Sequence, residues 1–224
     1  MTTTAEHATA QPSFRPTRAQ VVWCSLIASM TVVGGGLMTL QGGGVSAASA
    51  KPLAEIAPLG PATPGIESIL QTKSPIEKNR WTGIVIHHSA SAMGSAETLN
   101  AQSLAKGLKG LGYHFVIGNG QGAPNGQIYV GARWADQLPG AHTAGPKSEQ
   151  YNRTTIGICL VGDGERHAFT SEQLDSLVQL VSTLQKELGI DDSQVFLHRD
   201  VAPTTSPGRL FPEALLRERL AAAQ

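Results

Sequence analysis

The chain has 224 residues, enough for one domain with added segments rather than two full domains. Its 17 Lys and Arg balance 17 Asp and Glu, so no net positive field argues for nucleic acid as a partner. Cys24 and Cys159 are the only cysteines, too few for a disulfide scaffold or a cysteine-rich zinc knuckle.

In chain order, residues 1–20 are polar, with Arg15 and Arg18 just ahead of the uncharged apolar stretch VVWCSLIASMTVVGGGLMTL (21–40). VSAASA (45–50) follows, with small residues at Ala48 and Ala50. A basic flank, an apolar core and an A-x-A site make a secretory signal over residues 1–50. The stretch is also about long enough to span a bilayer, so an uncleaved membrane anchor is the competing expectation. Gly34, Gly35 and Gly36 weaken a membrane helix and favour cleavage after Ala50. Cys24 lies early in the stretch, which argues against lipid modification. Under both readings the folded part is exported and works outside the cytoplasm. Residues 51–78 carry Pro52, Pro58, Pro61, Pro64 and Pro75 and read as a Pro-rich linker. Residues 79–224 form the expected domain.

GIVIHH (83–88) reads as a buried strand rich in β-branched residues. A helix is expected over 96–110, with Leu99, Leu104 and Leu108 as a partial apolar stripe and Gly110 and Gly112 ending it. YHFVIG (113–118) and QIYVG (127–131) flank the turn NGQGAPNG as a hairpin. TTIGICLVG (154–162) reads as a central strand, with Cys159 as a small buried core residue. The next helix is the clearest: Thr170 caps it, Gln173 completes a capping box, and Gly189 ends it. Its apolar face is Leu174, Leu177, Val178, Val181, Leu184 and Leu188. QVFLH (194–198) is a short strand, and Pro212 opens a last helix. This order predicts an α/β fold with a mixed central sheet of about five strands flanked by helices.

The domain holds His87, His88, His114, His142, His167 and His198. Alternation along a strand sends His87 and His88 to opposite faces, so one of the pair enters a given site. His87 and His198 both end predicted strands, where open α/β sheets place ligands, and two imidazoles meeting there would suit zinc. Spacing alone leaves two open readings, paired ligands or hydrogen-bonded structural histidines. His167 falls in the polar loop GDGERHAF and is expected to face solvent. Tyr113 is placed by alternation on a face with Phe115 and Ile117, as a core tyrosine or as a phenol beside a metal. No Ser-His-Asp arrangement is apparent, since Ser89 and His88 are adjacent and their side chains diverge.

Together IVIHHSA, GYHFVIGNG, GAHTAG, YNRTTIGICLVG and HRDVAPTTSPG occur in the order found in one family. Over roughly residues 80–212 the chain resembles the zinc-dependent N-acetylmuramoyl-L-alanine amidases, which include phage lysozyme-type amidases and peptidoglycan recognition proteins. The resemblance implies a mixed sheet flanked by helices, with a cleft for the stem peptide of peptidoglycan. It implies that His87 and His198 are zinc ligands and that Tyr113 is the catalytic tyrosine. Thr204 falls where the family has an assisting lysine or threonine. His142 matches a histidine lining the cleft, and His114, beside Tyr113, is taken with it as substrate-binding.

The family's third metal ligand is a cysteine, or an aspartate in a subgroup, just before Pro-Gly; here that place holds Ser206. A neutral hydroxyl is a poor zinc ligand, so Zn2+ binding is expected to be weak or absent. Ser206 is then a turn serine bonded to loop backbone, or the third position of a weak or water-completed site. The implied activity is zinc-dependent hydrolysis of the amide between the muramoyl lactyl group and L-alanine. The alternative is a peptidoglycan-binding module with an amidase fold and no catalysis. Either way the expected partner is a muropeptide, and the expected state is a monomer. No membrane partner is expected for the mature domain unless the N-terminal segment is retained.

Overall fold

The computed structural model describes residues 57–58 and 65–223. The expected signal or anchor, Cys24 and most of the linker lie outside the described residues. Six strands form one mixed sheet: β1 (Ala57–Pro58), β2 (Gly83–His88), β3 (Phe115–Ile117), β4 (Ile128–Val130), β5 (Thr155–Leu160) and β6 (Val195–Leu197). Their order across the sheet is β1-β4-β3-β5-β2-β6. β3, β5, β2 and β6 run parallel, and the β3–β4 hairpin and β1 add antiparallel pairs. Every residue of β2 and β5 is buried, as parallel strands covered on both faces require, and their β-branched runs supply that packing. The sixth strand is the two-residue β1, whose Pro58 lacks an N–H and is tolerated because the strand lies at the edge.

Alternation along the strands divides the core in two. Ile84, Ile86, Phe115, Ile117, Ile156, Ile158 and Leu160 point into the larger half, beneath α4 (Ser171–Leu188) and α6 (Glu213–Ala222). Val116, Cys159 and Val161 point into the smaller half, with Leu99 of α1 (Ala96–Ala105) and Leu111. Cys159 is a buried free thiol in that half, and burial pushes it up to about 12.

α4 forms as its sequence dictates. Thr170 Oγ1 accepts from Gln173 N–H at 3.1 Å, and Gln173 Oε1 accepts from Thr170 N–H at 3.3 Å. Gly189 ends the helix at φ +68°, in the left-handed region that glycine enters freely. Leu177, Val178, Leu180, Val181 and Leu184 are buried, each contributing roughly 1.5–3 kcal/mol on transfer from water. Gln173 does more than cap, because its amide Nε2 also donates to the Val161 carbonyl at 2.9 Å and ties the helix to the end of β5.

Four expectations change. The helix expected over 96–110 stops at Ala105, and Gly107 already has φ +80°. Leu104 and Leu108 are exposed, because residues five apart, such as Leu99 and Leu104, lie about 140° apart on a helix. The segment 65–78 is packed rather than free: Ile66–Leu70 forms a 3-10 turn, Ile69 is buried in the core, and Ile76 packs against it. Tyr113 precedes β3, so alternation does not reach it; it packs with Val116 and Cys159, away from Phe115 and Ile117. His198 is the first residue of a short helix, α5 (His198–Val201), rather than the last of β6. Helices α2 (Ala132–Ala135) and α3 (Ser148–Thr154) were not expected; neither is long enough to show a periodic apolar face. No helix among the described residues is long and apolar enough to cross a membrane.

Candidate functional site

Parallel pairing of β2 with β6 sets Ile86 opposite Leu197, so the next residues, His87 and His198, emerge side by side at the strand ends. Their ring centroids are 4.2 Å apart. His87 pairs in register with Cys159 and shares the smaller face of the sheet. Around its ring lie Tyr113, at 5.2 Å between centroids, and His142, at 5.0 Å. The sheet thus brings His87, His198, Tyr113 and His142 into one cluster.

Ser206 reaches the same region through a loop locked onto α5. Arg199 N–H donates to the Ser206 carbonyl at 2.8 Å. The Arg199 guanidinium donates to the Gly208 carbonyl at 3.2 Å and to Glu213 at 2.7 Å. Gly208, at φ +101°, lies directly on Gly164, and side chains at either position would collide with the other loop. Ser206 is buried, and its Oγ accepts from the backbone N–H of His88 at 3.1 Å. Thr204 is exposed, and its Oγ1 accepts from Ser206 N–H at 3.2 Å.

His114 and His88 serve the scaffold. His114 has no exposed surface: its Nδ1 accepts from Gly157 N–H at 2.9 Å, and its Nε2 faces the Leu138 carbonyl at 3.1 Å. With both nitrogens occupied it offers no ring atom to a ligand, contrary to the substrate-binding expectation. His88 Nδ1 accepts from Gly164 N–H at 3.0 Å, on the other side of β2 from His87. His167 is exposed, as its loop composition predicts.

Burial keeps the imidazoles uncharged. It lowers His87 well below 6.5, helped by His142 and His198; it lowers His142 to about 3 and His198 to about 4. Burial, with the Cys159 thiol beside it, holds the Tyr113 phenol well above 10.0. Tyr113 is therefore a proton donor rather than a phenolate near neutrality.

Two ring nitrogens in this cluster, His87 Nδ1 and His198 Nε2, are buried and have no hydrogen-bond partner. Leaving a buried polar atom unpaired costs about 1–3 kcal/mol, so two on neighbouring rings mark a place built to meet a ligand. Two imidazole nitrogens suit zinc, but such a site takes three protein ligands. The hydroxyl of Ser206 is neutral and already bonded to His88, and no group of three or more His, Cys, Asp or Glu among the described residues is placed to hold a metal. The residues present do not make up a complete zinc site. An open depression of about 780 Å³ at the end of α4, lined by Ser182, Lys186, Gly189 and Asp191, contains no comparable chemistry.

Comparison with known proteins identifies the family of the chain. The chain is 28% identical over 161 residues to "Peptidoglycan-recognition protein 2" of Holotrichia diomphalia, covering 61% of this chain and 80% of that protein. It is 35% identical over 108 residues to "Endolysin" of Enterobacteria phage T3, covering 46% of this chain and 62% of that protein. Among solved structures it resembles the N-acetylmuramoyl-L-alanine amidase LysC from Clostridium intestinale URNW, with a TM-score of 0.55 and 26% identity, over 67% of this chain and 92% of that one. The family description N-acetylmuramoyl-L-alanine amidase (Amidase_2) matches residues 77–209, a span holding every residue of the histidine cluster and Ser206, and the chain belongs to that family.

Proposed function

We propose that this domain binds the stem peptide of peptidoglycan over the His87–His198 cluster and does not cleave it. The observation that carries this reading is Ser206. It falls where the resemblance puts the family's third ligand, as a neutral, buried hydroxyl accepting from His88 N–H, so the cluster lacks the third protein ligand that completes a catalytic zinc site. His87, His198, Tyr113 and Thr204 are the ligand-facing groups in this proposal. The basic flank, apolar run and A-x-A pattern of residues 1–50 support export of the domain, cleaved or anchored. Residues 79–224 form its binding unit, joined by the segment that precedes them.

A second reading, hydrolysis of the muramoyl–L-alanine amide, is favoured by one observation. His87 Nδ1 and His198 Nε2 are paired, buried and without partners, as two ligands of a cation would be.

Metal analysis of the purified protein, muropeptide calorimetry and a digestion assay separate the two. The binding reading expects saturable muropeptide binding, zinc well below one per chain, and no released stem peptide. Release that stops with a chelator would overturn it in favour of hydrolysis. Absence of muropeptide binding would overturn both.

A further inference from the structure

His142 touches His87 rather than open cleft, and the contact has a direction. His142 Nε2 lies 3.3 Å from the carbonyl oxygen of Thr155, which can only accept. The proton of the neutral His142 ring therefore sits on Nε2, and its Nδ1 carries a lone pair. That Nδ1 is 3.0 Å from His87 Nε2, so His87 must donate there and carries its own proton on Nε2. Its Nδ1 is then a bare lone pair, the same atom that has no partner in the protein.

The surroundings hold His142 in this pose. Its ring fills a slot between Gly140 and Gly157: a β-carbon on Gly157 would stand 2.5 Å from Cγ and Cδ2, and one on Gly140 would also collide with the ring. Asn152 fixes the backbone beneath it. Its Oδ1 accepts from His142 N–H at 2.9 Å and Thr143 N–H at 3.0 Å, and its Nδ2 donates to the Thr143 carbonyl at 3.1 Å.

We infer that His142 is a positioning residue: through Thr155 C=O, His142 and His87, in that order, it locks His87 as the Nε2–H tautomer and presents the Nδ1 lone pair to whatever binds between His87 and His198. The species recognised is an electron-pair acceptor, either a hydrogen-bond donor such as a peptide amide N–H or a divalent cation. This deepens the stem-peptide reading but does not depend on it, since the tautomer is set before any ligand arrives.

The test is long-range proton–nitrogen correlation of 15N-labelled, chelator-treated protein near pH 7. The expected pattern for His87 is an unprotonated Nδ1 and a protonated Nε2. A protonated Nδ1 in the wild-type protein overturns the inference, whatever the variants do. In His142→Ala the pattern should collapse to a mixture of tautomers. His142→Asn, whose side-chain oxygen can replace the Nδ1 acceptor, should restore it. An unchanged His87 pattern in His142→Ala would also overturn the role. Titration with a muropeptide and with Zn2+ alone then separates the two sources: the ligand that perturbs His87 Nδ1 in the wild type should bind 10–100-fold more weakly to His142→Ala, the usual scale for loss of an orienting partner. Muropeptide binding that fails beside a correct tautomer sinks the stem-peptide reading and leaves this inference standing.

Discussion

Gly157→Ala is the most direct probe of how the cluster is held. Gly157 lies in β5, between β2 and β3, paired in register with Val85. Its carbonyl accepts from His114 N–H at 2.9 Å and its N–H donates to His114 Nδ1 at 2.9 Å, so the backbone cannot retreat. The added methyl would stand 2.5 Å from two atoms of the His142 ring, against about 3.5–4.0 Å for comfortable carbon contact. The ring cannot step aside either, because Gly140 closes the slot from another side. Overpacking of this kind costs about 1–3 kcal/mol, and loss of the two ring hydrogen bonds adds about 0.5–1.5 kcal/mol each, for roughly 4 kcal/mol in all. In a urea titration that is a fall in midpoint of roughly 2 M at a slope of about 2 kcal/mol/M. Gly189→Ala is the control: it has φ +68° but no atom within 4 Å, so it carries left-handed strain of about 1–2 kcal/mol and no clash. The double variant Gly157→Ala, His142→Ala should lose much less than the two single losses together, since the methyl then occupies the space the ring has left. A midpoint shift below about 0.3 M for Gly157→Ala, or strictly additive losses in the double variant, would refute the packing argument.

Three further outcomes are expected. Ser206→Cys places a thiol where the family resemblance puts a third ligand and should raise zinc affinity in calorimetry; equal zinc binding by the two proteins would refute that assignment. His114 is held well below 6.5 by burial, so its folded value is depressed relative to the unfolded chain. Its share of stability is intact above 6.5 and is lost as pH falls below it, because the unfolded chain alone takes up the proton, at about 1.4 kcal/mol per pH unit. Urea titrations from pH 8 to 4.5 should therefore show a shallower acid loss in His114→Gln than in the wild type, even though the variant starts less stable. Trp81→Phe removes the indole N–H that donates to Gln137 Oε1 at 2.7 Å and leaves that oxygen only the longer bond from Glu77 N–H at 3.4 Å; loss of the shorter bond should cost about 0.5–1.5 kcal/mol in thermal or urea unfolding.

The strands and the long helix were legible because their signals are local and repeated. Alternating β-branched runs, a turn between two of them, and a capped 18-residue apolar stripe each point to one structure. The shorter elements carry no such redundancy. α2, α3 and α5 have seven residues or fewer, too few for a period to show, and they exist because the chain must turn between strands whose places are already set. The packed segment 65–78 was hidden for a different reason. It continues a proline-rich stretch and itself holds Pro75, which suggests a linker, yet Ile66, Ile69 and Ile76 are scattered apolar residues that matter only once the sheet offers them a surface.

The site shows the same division at the level of single atoms. Two predicted strands running into histidines made a meeting of His87 and His198 conceivable, and parallel pairing of β2 with β6 brings it about, since register is a property of the sheet and not of the side chains. What each imidazole does could not be read that way, because a histidine's role is fixed by the partner of its second nitrogen. His114 and His142 look alike in sequence, each a histidine beside glycine-rich turns, yet one is closed off by Gly157 N–H and Leu138 C=O while the other passes a hydrogen-bond direction on to His87. Apart from the His87 ring, those partners are backbone groups, Gly157 N–H, Leu138 C=O and Thr155 C=O, which any residue type supplies. A motif can therefore name the histidines of this family, but only the fold decides which lone pair is left facing the ligand.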